Sequence, residues 1–200
     1  MLDDTVAAER LFADIPTDPP VELIVVDAGD ARWGLAGPGR ARQMNAGAAA
    51  AAGEWLLFLH ADSRMPGDWL QTFFAHTRNA DAGWFRFALD DPAWQARLIE
   101  RGVAWRVRLF RLPYGDQGLF VRRSLFDAMG GYRDIPLMED VEFVRRLTRR
   151  ARIVEPPIAI ATSARRWRRD GWLRRSARNL ALLALYFLRM PPERLARWYG

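Results

Sequence analysis

Two apolar runs that each lead to an acid constrain this chain more than any other feature. Val21 to Val26 is rich in β-branched residues and stops at Asp27, and Trp55 to Leu59 delivers His60, Ala61 and Asp62. Runs this short and this continuously apolar read as strands buried on both faces. Between them Arg40 to Ala52 is Ala-rich and helical, and Gly53 stops it. Strand, helix and strand in that order predict an α/β fold, a mainly parallel sheet with helices on both faces.

The rest of the chain continues the alternation. Thr5 to Ala13 reads as a short helix, Gly67 to Arg78 as a helix opened by Pro66, and Ala82 to Leu89 as a strand. Pro92 to Arg111 is a long amphipathic helix and Gln117 to Val121 a third short strand. Past a turn at Gly130 and Gly131, Met138 to Arg150 is helical, Ile153 to Thr162 is extended around Pro156 and Pro157, and Gly171 to Arg189 is a closing helix. A chain of 200 residues that is 50% apolar buries one good core. The expected division is one α/β domain over residues 1–168 and a C-terminal amphipathic helical segment over 169–200, packed on that domain or on a membrane surface.

Charge is unevenly spread. Residues 145–200 carry 15 arginines against three acids, leaving 15 arginines against 21 acids in the remainder, and the chain has no lysine. A basic tail on an acidic body suits anions, whether substrate phosphates or lipid headgroups. Nucleic acid is not the expected partner, because arginines and aromatics are not interleaved along one strand surface. With no cysteine, disulfides, thiolate metal sites and a cysteine nucleophile are excluded, so any metal sits on oxygen or histidine. Met1-Leu2-Asp3-Asp4 lacks the basic start and apolar core of a secretory signal, so the expected location is cytoplasmic. The apolar stretch Leu180 to Leu188 is well short of the roughly 20 residues needed to span a bilayer, but arginines on either side suit it to the inner membrane surface.

Acids beyond the ends of strands are the first candidates for chemistry, because open α/β sheets bind ligands there. Asp27 and Asp62 both qualify, and a carboxylate so placed can hold a hard divalent cation together with diphosphate oxygens. Met138-Glu139-Asp140-Val141-Glu142 gathers three acids at a predicted helix start, which reads either as charge complementing the helix N-terminus or as a general base. Tyr114-Gly115-Asp116-Gln117-Gly118 places polar groups between glycines ahead of a strand.

In order along the chain, the segments Glu22 to Asp27, Gly39 to Gly47, Leu56 to Ser63, Gly115 to Arg122, Gly130 to Tyr132, Ile135 to Asp140 and Ser163 to Trp167 resemble those of a family 2 glycosyltransferase of the GT-A fold. Within that family the chain is similar to a bacterial subgroup named for arsenosugar biosynthesis. The resemblance implies a donor contact from Asp27 and a metal ligand in Asp62, the last acid of the family's Asp-X-Asp motif. His60 stands in the first acid's place, a competent ligand for Mn2+ and a poorer one for Mg2+. It further implies donor contacts from Arg40, Arg42, Asn45, Ala61, Arg165, Arg166 and Trp167, and acceptor contacts from Gly115, Asp116 and Gln117. Asp140 becomes the general base, with Glu139 supporting it. The implied partners are a nucleotide-sugar donor and a small-molecule or lipid acceptor, with arsenosugar or carotenoid-like acceptors suggested by the subgroup.

The chain departs from that pattern at its start. Relatives open with an apolar strand ending in a Pro-X-Leu-Asn-Glu-like turn, and Met1 to Asp4 resembles only the turn, so a first strand encoded just upstream is expected. The stretch from Asp30 to Gly39 is also shorter than a helix-plus-strand unit. A noncatalytic relative with a truncated donor pocket and a nucleotidyltransferase are the alternatives these residues leave open.

Overall fold

The computed structural model describes residues 9–16, 21–27, 31–35 and 39–199, so the turn at Met1 to Asp4, the first half of the Thr5 helix and any strand preceding it lie outside the described residues. Residues 9–14 are helical, as expected. Helix α1 (Arg40–Ala50) leads to β1 (Trp55–Phe58), a two-residue β2 (Ser63–Arg64) and α2 (Trp69–Thr77). Then come β3 (Ala82–Gly83), β4 (Arg86–Leu89) and the 17-residue α3 (Trp94–Phe110). β5 (Leu119–Arg122), α4 (Arg123–Ala128) and α5 (Glu139–Leu147) precede β6 (Ile153–Val154) and β7 (Ala159–Thr162). The chain closes on α6 (Arg165–Asp170), α7 (Trp172–Phe187) and α8 (Pro192–Tyr199).

The α/β class holds, and the strands form two sheets, ordered β1-β5-β3-β6 and β2-β7-β4. Pairing is mixed rather than mainly parallel. β3–β6 and β4–β7 are parallel, whereas β5 runs against both β1 and β3, and β2 runs against β7. α3 packs back against Phe87 and Leu89 of β4, and β5 then lies between β1 and β3. Side-chain alternation along β5 then divides the core: Leu119 and Val121 join Phe126, Tyr132 and Phe143 on one face, and Phe120 joins Phe73, Phe85 and Ile160 on the other.

Two strand expectations are corrected. Ala82 to Leu89 is not one strand, because it breaks at the buried pair Trp84 and Phe85 and passes from the first sheet to the second. Gly83 permits the crossing: a Cβ there would collide with the Val154 carbonyl. Val21 to Val26 is extended but belongs to no ladder among the described residues, and Leu23 and Val25 are about half exposed. The segment leans instead on α1, where Gln43 donates to the Val26 carbonyl (3.1 Å) and the Glu22 carboxylate accepts the Ala52 N–H (2.8 Å). The expected closing helix stops at Phe187, and Pro192 opens α8. Leu182, Leu183 and Leu195 fasten α7 and α8 onto Leu112, Met138 and Val141. Among the described residues no helix is long and apolar enough to cross a membrane.

Candidate active site

β1 ends just short of a tight turn, in which the Ser63 N–H returns to the His60 carbonyl (3.0 Å). β2 is then pinned to β7, so the turn carrying His60 and Asp62 is anchored at the junction of the two sheets rather than on a free loop. Other elements meet it there. Arg40 comes from the first residue of α1, Glu139 and Asp140 from the first turn of α5, and Tyr114, Gly115 and Asp116 from the loop before β5. Thr162 and Ser163 follow β7, and Arg166 and Trp167 come from α6. Together they line a cleft of about 130 Å³. Pockets that enclose a whole small molecule measure roughly 300–1,000 Å³, so this cleft suits the reacting end of a larger ligand.

Charge in the cleft is organised around Arg40. Its Nη2 lies 2.7 Å from His60 Nε2, and its Nε lies 3.2 Å from Glu139 Oε1. A guanidinium can only donate, so His60 Nε2 accepts and Nδ1 carries the proton. Burial, reinforced by Arg40 and Arg166, pushes the His60 imidazole down to about 3, leaving it neutral at physiological pH. Burial likewise pushes the Asp116 carboxyl up to about 6, with Asp140 and Asp62 adding to the rise and Arg106 and Arg40 opposing it. Glu139 is raised by burial and by Asp140 beside it, against the pull of Arg40.

Gly115 is required at its place. A Cβ there would come within 2.7 Å of Arg40 Nη2 and 2.9 Å of His60 Nε2. Its bare N–H instead donates to Asp140 Oδ2 (2.7 Å), while Asp140 Oδ1 accepts the Val141 N–H (2.7 Å). Both carboxylate oxygens are thereby oriented, and each retains a lone pair for the cleft.

The residues singled out in the sequence divide into two groups. His60, Asp62, Arg40, Gly115, Asp116, Glu139, Asp140, Arg166 and Trp167 converge on the cleft. Arg42 does not line it and pairs with Asp134 (3.7 Å), and neither Ala61 nor Arg165 is among its lining residues. Asp27 lies exposed at the end of the extended segment, away from the cleft lining. Two side chains are engaged by the fold. The Asn45 amide donates to the Tyr132 carbonyl (2.8 Å) and accepts its N–H (2.9 Å), so it clamps α1 to the Gly131 turn. Gln117 is 1% exposed and donates to the Phe85 carbonyl (3.1 Å), which buries it in the core.

Sequence reasoning missed the contribution of the C-terminal helices. Arg175 and Asn179 from α7 and Tyr199 from α8 line the same cleft. Asp116 Oδ1, Trp167 Nε1 and Asn179 Oδ1 are buried there without hydrogen-bond partners among the described residues. Buried polar atoms are rarely left so, and several converging on one cleft mark a place completed by a polar ligand. The only signal available beforehand was polar residues interrupting an apolar helix.

Residues 35–133 match the family described as Glycosyl transferase family 2. The match supports a family 2 glycosyltransferase. It spans α1, β1, the His60 to Asp62 turn and β5, and it ends just before the Glu139 and Asp140 pair. No curated protein matches the chain. A family 2 match implies a nucleotide-sugar donor and an acceptor.

The groups present fit a divalent cation in one respect and resist it in another. Asp62 and a neutral His60 are suitable donors, although among the described residues no group of three His, Asp or Glu side chains is placed to hold a metal ion. Arg40, however, already takes the His60 lone pair. A cation and Arg40 cannot both use it.

Proposed function

We propose that the chain is an inverting, metal-dependent glycosyltransferase that moves a sugar from a nucleotide-diphosphate donor to an acceptor hydroxyl. The observation that carries this reading is the convergence of Asp62, Asp140 and Arg166, from three separate elements, on one cleft. The acceptor oxygen attacks the anomeric carbon, its proton passes to Asp140, and the bond to the diphosphate breaks with its electron pair leaving on the phosphate oxygen. Glu139, held by Arg40, fixes the wall on which Asp140 stands. Arg166 faces the negative charge that develops on the leaving group. Asp62 and His60 would hold Mn2+ or Mg2+, whose charge offsets that of the diphosphate.

The resemblance to the arsenosugar subgroup, with its arsenosugar or carotenoid-like lipid acceptors, belongs to the same reading, as does a peripheral membrane position for the Arg-rich C-terminus. Donor turnover with Mn2+ tests the catalytic core. Asp140→Ala should lower kcat/KM by about 10²- to 10⁴-fold, the range for a lost general base. Asp62→Ala should lower it comparably and abolish the Mn2+ requirement. Equal turnover in wild type and both variants would remove the mechanism, no turnover in wild type would favour a noncatalytic relative, and release of pyrophosphate in place of nucleoside diphosphate would favour a nucleotidyltransferase.

A further inference from the structure

α7 has two working faces. Arg175, Asn179 and Leu182 turn inward and line the catalytic cleft. On the opposite side, at spacings of four, three, four and three residues, Leu173, Ala177, Leu180, Ala184 and Phe187 form an outward stripe. That stripe is apolar along its whole length, and every member is exposed: Leu173 is 72% and Leu180 57% accessible. Soluble proteins rarely leave a contiguous apolar strip of this length in water.

Leu180, Ala184 and Phe187 of the stripe form one wall of a groove of about 580 Å³. Phe110, at the end of α3, and Leu112 form another wall, and Arg145 of α5 with Thr148 and Arg149 just beyond that helix complete it. Arg145 lies over the Phe187 ring, 5.1 Å from its centre. Among the described residues no acid lines this groove. Exposed Arg174 and Arg189 bracket the stripe at the two ends of α7, and exposed Arg194, Arg197 and Trp198 follow on α8.

We propose that the outer face of α7 docks the protein on an anionic phospholipid bilayer, with the groove taking up acyl chain and the surrounding arginines meeting headgroup phosphate. An apolar face flanked by arginines matches the boundary between acyl chains and headgroups. A second copy of the chain fits less well, because an isologous contact would place the same arginines opposite themselves without any acid in the groove to receive them. A nucleic-acid duplex would satisfy the arginines and leave the stripe wet.

Docking there has a consequence for the acceptor. The inner face of the same 16-residue helix lines the catalytic cleft, so the cleft stands one helix thickness, about 10 Å, from the bilayer. This geometry selects a lipid-borne acceptor, and it rests on the glycosyltransferase reading above.

Sedimentation of the full chain with vesicles, performed without donor, tests the docking. Wild type should bind phosphatidylglycerol–phosphatidylcholine vesicles in preference to phosphatidylcholine alone, and 0.5 M salt should weaken but not abolish the binding. Leu180→Glu should weaken binding by about tenfold or more while leaving the far-ultraviolet circular dichroism and the unfolding temperature unchanged, because Leu180 is exposed. Arg145→Gln with Arg149→Gln should remove the preference for anionic lipid and keep residual apolar binding. Asp62→Ala should bind as wild type does. The docking is overturned if wild type shows no preference for anionic vesicles, if Leu180→Glu binds equally well, or if wild type is a dimer that Leu180→Glu dissociates. Vesicle binding with no sugar transfer would strike the catalytic reading alone, and sugar transfer with no vesicle binding would strike this inference alone.

Discussion

Arg40 is the residue on which the site turns. It supplies the positive charge that Glu139 and the neighbouring acids require, and it does so by occupying the lone pair of His60. Removing a charge a few ångströms from a second cation is worth several kcal/mol at an effective dielectric near 20, so Arg40→Met should raise donor-free Mn2+ affinity by at least about tenfold. Titration followed by the electron paramagnetic resonance of free Mn2+ reads this directly, and an unchanged affinity would show that Arg40 and the cation do not compete. Asp116 gives a pH-dependent signature. Its folded carboxyl holds a proton up to about 6, while the unfolded chain releases it near the usual 3.8. The folded state therefore binds more protons in that window, and stability is lost as pH rises through it, by roughly 3 kcal/mol at most. Asp116→Asn should lack this component. Urea midpoints at pH 4.5 and pH 7 check it, since the gap between the variant and wild type should widen in the variant's favour at the higher pH.

At the scale of elements, α1 serves both site and fold. Its first residue reaches the cleft, and five residues on, Asn45 bridges both backbone groups of Tyr132. Tyr132 in turn stacks against Phe143 of α5, ring centres 4.5 Å apart. The helix that brings Arg40 is thus tied to the helix that brings Glu139 and Asp140. Asn45→Ala leaves two buried backbone groups without partners, which costs about 1–3 kcal/mol each, and chemical denaturation should show a loss in that range. The same element shows what a sequence yields and what it withholds. An Ala-rich run between Gly39 and Gly53 dictates a helix through local propensity alone. Whether Asn45 faces a ligand or a backbone turn 87 residues away depends on long-range packing that no local pattern records.

For the molecule as a whole, the C-terminal helices pack on the body of the fold. Leu182, Leu183 and Leu195 bury Leu112, Met138 and Val141, and Arg175, Asn179 and Tyr199 complete the cleft. A chain ending at Asp170 should therefore lose cooperative thermal unfolding as well as activity, whereas the full chain should unfold in one calorimetric transition. A truncated chain that melts cooperatively near the wild-type temperature would show the segment to be a separate unit. The sequence by itself determined the α/β class, the helices around residues 40–50, 94–110 and 172–187, and three acids that line the cleft, Asp62, Glu139 and Asp140. Those follow from apolar period, Gly and Pro punctuation, and acids set at the ends of elements, all of them local signals. The tertiary structure alone decided strand direction, the crossing at Gly83 between two sheets, the capture of His60 by Arg40, and the two faces of α7. Each of these depends on which distant segments become neighbours, and that is fixed by packing the whole chain at once.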